Sequence, residues 1–164
     1  MQQIGTSLRI GVHNKPLSWA MSRAPGLQCK GEITFCHLDG QNRFRRPMAA
    51  RWSESIQPIS MRGVFQDGQE FQIHDPARFT LDSRMDIFPG EHKDLDVAIR
   101  FSDDQDCYGW NNETYFRSTD GRHPDWKLEH DRYLIKVTIT SSGQEFVDVF
   151  RLVNGLHPVP KTPS

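Results

Sequence analysis

Four arginines fall within nine residues in Arg43-Phe44-Arg45-Arg46 and Arg51-Trp52, interleaved with two aromatic rings. A guanidinium fork chelates phosphate or carboxylate through two parallel hydrogen bonds, and a neighbouring ring can stack on a base or on another guanidinium. Arg43, Arg45, Arg46, Arg51 and Trp52 are therefore the candidate ligand-binding residues, and their chemistry suits an anionic small molecule such as a nucleotide. The plainer reading is a solvated loop whose arginines pair with nearby acids. If residues 49–52 form a strand, Arg51 points away from Ala50 and Trp52, so the four guanidiniums cannot all converge.

A second group lies in Asp103-Asp104-Gln105-Asp106-Cys107-Tyr108-Gly109-Trp110-Asn111-Asn112-Glu113. Clustered carboxylate and amide oxygens suit calcium, which makes Asp103, Asp104 and Asp106 the candidate metal ligands. The EF-hand spacing fails, because Tyr108 and Tyr115 stand where that loop needs oxygen donors. A turn in which short polar side chains bond their own backbone explains the same residues. Asp103, Asp104, Asp106 and Glu113 could instead supply an acid and base pair. Tyr108, Trp110, Asn111 and Asn112, with Trp126, could form a sugar platform, although the alternation of Tyr108 and Trp110 favours core packing.

Other chemistry is poorly supplied. Histidines 13, 37, 74, 92, 123, 130 and 157 show no zinc-ligand spacing. Cys36 and His37 are neighbours on a presumed strand and face opposite ways, which denies them a thiolate and base role. Nucleophile-elbow, phosphate-loop and dinucleotide motifs are all absent. The expectation is a non-catalytic chain with no cofactor.

The elements that must position these groups read as short strands. Leu8–Asn14 alternates, with Leu8, Ile10 and Val12 on one face. Residues 28–38 are apolar on both faces, as a central strand would be, and end at an Asp39-Gly40 turn. A short edge strand is expected over 49–52, and a hairpin or corner forms from 56–65 and 70–74 around Asp67-Gly68. Strands over 79–88, 95–101, 106–116, 133–140 and 145–152 follow, separated by Pro-Gly, Ser-Asp-Asp, Thr-Asp-Gly and Ser-Ser-Gly signals. Little helix is expected, beyond single turns at 76–78 and 126–130. Strands with turn signals every eight to twelve residues indicate an antiparallel β-sandwich or barrel.

The turn Phe88-Pro89-Gly90-Glu91, the strand Leu95–Phe101, the pair Tyr133–Ile139 and Phe150-Arg151-Leu152, and the opening Leu8–Lys15 resemble bacterial immunoglobulin-like β-sandwich domains, notably soluble domains of uncharacterised proteins that carry a membrane helix. The resemblance spans Leu8 to Val153 and implies an all-β, immunoglobulin-like antiparallel sandwich of about eight to ten strands. It implies a binding or sensing module and supplies no catalytic residues.

Composition bounds the remaining choices. The 164 residues suit one domain over 1–156, with an extended or disordered tail at 157–164 holding three prolines. Twenty basic against 21 acidic side chains leave a net charge of −1, which argues against an extended nucleic-acid track. Three cysteines without a C-x-x-C pair read as reduced thiols. No apolar run is long enough to span a membrane, so the expected location is cytoplasmic, with the soluble part of an anchored protein as the alternative. The expected function is a binding or interaction module for a protein or a small ligand. Its alternatives are an anion sensor built on the arginines and a calcium- or carbohydrate-binding sandwich.

Overall fold

The computed structural model describes residues 5–16, 24–58, 61–74, 83–118 and 120–155. The expected turn at 76–78, residues 79–82 of an expected strand and the tail at 157–164 lie outside them. Among the described residues, twelve strands run in order: β1 (Gly5–His13), β2 (Gly26–His37), β3 (Met48–Ala49), β4 (Arg51–Trp52), β5 (Met61–Gln66), β6 (Gln69–His74), β7 (Arg84–Ile87), β8 (His92–Phe101), β9 (Cys107–Gly109), β10 (Lys127–Leu128), β11 (Arg132–Ser141) and β12 (Gln144–Val153). Helix α1 (Asn112–Arg117) and a 3-10 turn at Pro124–Trp126 interrupt them.

Two antiparallel five-stranded sheets pack face to face. In the first, β1, β8, β9 and β10 lie in that order and β4 also pairs with β8; in the second, the order is β12, β11, β2, β3, with β7 also on β2. β5 and β6 form a separate hairpin. The expected all-β sandwich is thus present, and the two-sided apolarity of 28–38 reflects a strand paired on both edges, by β11 and by β3 and β7. Alternation explains the core: Ile33 and Phe35 of β2 and Tyr133, Ile135, Val137 and Ile139 of β11 are buried at every second position and face Leu95 and Val97 of β8 with Trp52 and Trp126.

The segment expected as one edge strand at 49–52 is two. Met48–Ala49 pairs with β2 in one sheet, and Arg51–Trp52 pairs with β8 in the other, so the chain changes sheets at Ala50. Gly31 makes that corner possible, since a Cβ there would lie 3.0 Å from both Ala50 Cβ and Leu95 Cδ2. Across the corner, Trp52 donates its indole N–H to the Cys29 carbonyl at 2.9 Å and ties the sheets together.

The Pro-Gly corner forms as its residues dictate. Gly90 sits at φ +90°, and Glu91 N–H donates to the Phe88 carbonyl at 3.0 Å. The turn then docks on Asn14 through two backbone bonds, from Asn14 N–H to the Glu91 carbonyl and from Gly90 N–H to the Asn14 carbonyl.

One strand expectation is overturned. Residues 106–116 are a three-residue strand followed by helix α1, because Asn111 is a strong N-cap: its side chain accepts from Thr114 N–H at 3.1 Å, and Thr114 reaches back to the Asn111 N–H. Local capping outcompetes apparent alternation here. The turn expected at 126–130 falls at 124–126 instead, with Pro124 in its first position, and 127–128 are strand. Among the described residues, no helix is long and apolar enough to cross a membrane.

Candidate functional site

The arginine-rich loop and the acidic stretch meet in space, and they meet each other. Arg46 donates to both Glu113 carboxylate oxygens at 2.7 and 2.8 Å, and its guanidinium lies 5.0 Å from the centroid of Trp126. Trp126 donates its indole N–H to the same carboxylate at 3.1 Å and packs edge-on to Phe44 at 5.1 Å. Arg43 reaches the Lys127 carbonyl at 3.1 Å and Glu129 at 3.5 Å. Arg45 is exposed on the loop.

Arg51 is not on that surface. It is 4% exposed and donates to the carbonyls of Ser55 and Ile56 and to the Asn112 side chain, with Asp96 at 3.7 Å. Trp52 is fully buried. Three of the four arginines therefore have protein acceptors as partners, and the five candidate ligand residues do not share one site.

The acidic candidates are organised by cations of the chain itself. Asp103 and Asp104 both pair with Arg122, at 2.5 and 3.2 Å, and Asp106 pairs with Lys127 at 2.8 Å. Asp104 also accepts from Asp106 N–H and the Tyr108 hydroxyl, as a turn-forming aspartate does. Among the described residues, no three His, Cys, Asp or Glu side chains are grouped to hold a metal ion. Of the candidate sugar platform, Tyr108, Asn111, Asn112 and Trp126 are buried. Arg122, which no motif singled out, is the organising residue; only folding reveals it, because its partners lie up to nineteen positions away.

Titration follows this pairing. Burial would raise the Glu113 carboxyl, but the hydrogen bonds from Arg46 and Trp126 and the Arg46 charge outweigh it and hold the group below its ordinary value of 4.5. Burial would likewise raise the Asp104 carboxyl, but the bonds from the Asp106 N–H, Tyr108 and Arg122 and the Arg122 charge outweigh it and hold the group below 3.8. Burial pushes the Cys107 thiol up to about 11, so at neutral pH it is a poor nucleophile. Burial and the bond to Asp104 take the Tyr108 hydroxyl to about 12.

Carboxyls whose folded values are depressed stabilise the protein fully above their unfolded values, and that contribution disappears as pH falls through the folded ones. The urea midpoint is expected to stay level from pH 7 to about 5 and to fall below it. Glu113→Gln should shrink the fall, and a slope unchanged by this substitution would contradict the assignment.

A different feature has the character of a binding site. At one end of the sandwich, the end of β1 and the β11–β12 hairpin stand apart and leave a cleft of about 470 Å³, open to solvent. Its walls include Val12, Cys29, Ile87, Ile139 and Phe146. Two of its polar side chains are engaged by the protein itself: Asn14 donates its amide to the carbonyls of Ala24 and Ile87, and Ser141 donates to that of Leu27 at 3.0 Å. Among the described residues, no Asp, Glu, Lys or Arg lines it, and His13 is the one titratable side chain apart from Cys29. The volume falls within the range of small-ligand sites. Nothing in the sequence marks this cleft, since its lining comes from five separate strands or strand ends.

Comparison with known proteins finds no family model that matches the chain, and no curated protein or solved structure with significant similarity to it.

Proposed function

We propose that this chain is a non-catalytic binding module of immunoglobulin-like build, and that its ligand is an uncharged, largely apolar molecule or segment held in the cleft between β1 and β12. The observation that carries this reading is the lining itself: an open concavity of ligand size with apolar residues on both walls, in which the Asn14 and Ser141 side chains already have protein partners. An uncharged occupant loses little on entry, whereas a charged one would exchange water for a site with no counter-charge. The two facing antiparallel sheets support the immunoglobulin-like assignment. Anion capture by the 43–52 loop is less well supported, because Arg43, Arg46 and Arg51 already have protein partners.

The test uses Nile red, an uncharged solvatochromic dye. Saturable binding with a blue-shifted emission is expected, and it should be lost in V12W and I139W, which fill the cleft. R45A and R46A should bind as the parent does. The thermal midpoint of each variant checks that it is folded, by a measure independent of the dye. Dye binding that survives both cleft-filling variants, or stabilisation by millimolar ATP but not by the dye, would overturn the proposal.

A further inference from the structure

β12 is a ten-residue strand at the end of its sheet, paired with β11 on one side and, among the described residues, with no strand on the other. Five of its nine exposed residues are large and apolar: Phe146, Val147, Val149 and Val153 are each more than half exposed, and Phe150 is 37% exposed. A long, apolar, unpaired edge is a template for another strand, and isolated domains usually blunt or cover such an edge.

The hairpin fixes which backbone groups are free. Ser142 and Gly143 both have positive φ, and Ser141 pairs with Gln144, which defines a two-residue turn flanked by a hydrogen-bonded pair. Even-numbered residues of β12 therefore point their N–H and C=O groups at β11, and odd-numbered ones point outward. Two observations agree. Asn154, just beyond the strand, donates its N–H to the Asp131 carbonyl. Val149, on the outward side, donates its N–H to the Asp148 side chain at 2.8 Å.

We propose that the free edge of β12 pairs with β12 of a second copy of this chain, antiparallel and centred on Asp148, in a two-fold dimer with one continuous sheet. Antiparallel ladders match outward residues with outward residues, so only registers that set odd against odd are allowed. Centring on Asp148 places Glu145 opposite Arg151 twice over, once on each side of the axis. It also sets Val147 against Val149, and Phe146 against Phe150 on the other face. A shift of one centre, to residue 147, leaves Glu145 opposite Val149; a shift to 149 sets Arg151 opposite Val147. The charge pattern thus selects one register among those the backbone permits. The contact is self-complementary, as a two-fold interface must be.

Asp148 sets the strength of this dimer. At the axis it faces its own copy across a non-hydrogen-bonded site, where Cα atoms approach to about 4.5 Å. Like charges there weaken pairing, and in the single chain the same carboxylate occupies an outward N–H. The residue keeps association reversible and the edge closed to indiscriminate partners.

Sedimentation equilibrium of the intact chain is expected to show a monomer–dimer equilibrium that D148N tightens about tenfold and that E145K or R151E each weaken about fivefold or more. The double reversal E145R/R151E should restore parental affinity to within about twofold, since it exchanges the two signs across the axis. In a C36S background, which removes the one partly exposed thiol, D148C should oxidise to a covalent dimer and V149C should not. A chain that stays monomeric at millimolar concentration even as D148N would overturn the proposal. So would a dimer indifferent to the single charge reversals, or cross-linking equal in D148C and V149C. Phe146 is the side chain the two surfaces share, but none of the substituted residues lines the cleft, so the charge and cross-linking readouts test the dimer separately from the dye readout of the ligand site.

Discussion

Arg51→Ala is expected to destabilise the protein by about 3–5 kcal/mol, the range for removing one partner of a buried ion pair. The guanidinium reaches two backbone carbonyls, the Asn112 side chain and Asp96, and lies 5.6 Å from the Tyr115 ring. Alanine removes all of these at once and leaves the carbonyls of Ser55 and Ile56 without that donor. Asp96 keeps Arg9 at 3.1 Å and the Ser53 hydroxyl at 2.6 Å, which prevents a wholly unpaired buried carboxylate. For a chain of this length such a loss lowers the melting temperature by roughly 10 °C. Arg51→Lys should recover only part of it, because an ammonium cannot reproduce the fork. Thermal and urea unfolding measure both variants. A melting temperature within two degrees of the parent for R51A would show that the buried network contributes nothing, and would return Arg51 to the list of ligand-binding residues.

Trp126→Ala should cost a similar amount, about 3–5 kcal/mol, through a different mechanism. The indole is 1% exposed and packs against Phe44, lies under the Arg46 guanidinium and fixes Glu113. Its removal opens a cavity and also releases the contact by which the 43–46 loop is held to α1. Trp126→Phe keeps most of the packing and loses the hydrogen bond to Glu113, so about 1–2 kcal/mol is expected. The two variants also separate roles. If the Arg46–Glu113–Trp126 cluster only joins loop to helix, folded W126F should bind Nile red as the parent does; a loss of dye binding in W126F would place this cluster in the ligand site.

Much of the architecture was legible because it depends on local rules. Pro89-Gly90, Asp39-Gly40 and Ser142-Gly143 each supply the backbone freedom their turns need, and Gly40, Gly90 and Gly143 all adopt positive φ. Period-two alternation found β1, β2, β11 and β12 to within a few residues. It failed at 106–116, where a capping box decides between strand and helix and apolar residues fit both periods. It also missed the break at Ala50, because nothing local says that neighbouring residues will pair with different sheets.

The candidate sites were less legible for a related reason. Arg43, Arg46 and Arg51 form a run in sequence, yet each belongs to a separate environment, and Arg51 leaves the surface once the chain crosses between sheets. The carboxylates of Asp103, Asp104 and Asp106 gather as read, but around Arg122 and Lys127. A charge cluster reports which groups are near one another along the chain. It does not report which opposite charges the fold brings to them.

The residues by themselves determined an antiparallel β-sandwich or barrel with its turns in named places, since backbone preference and alternation act over a few residues, and the family resemblance pointed to the sandwich. The tertiary structure alone decided what its surfaces offer. It folded the arginines and acids onto each other and, among the described residues, left a cleft without charged lining between two strands at opposite ends of the chain and left β12 at a sheet edge with no strand on its far side. Those outcomes depend on contacts between residues far apart in sequence, where the balance of burial, pairing and exposure is set only when the sheets meet.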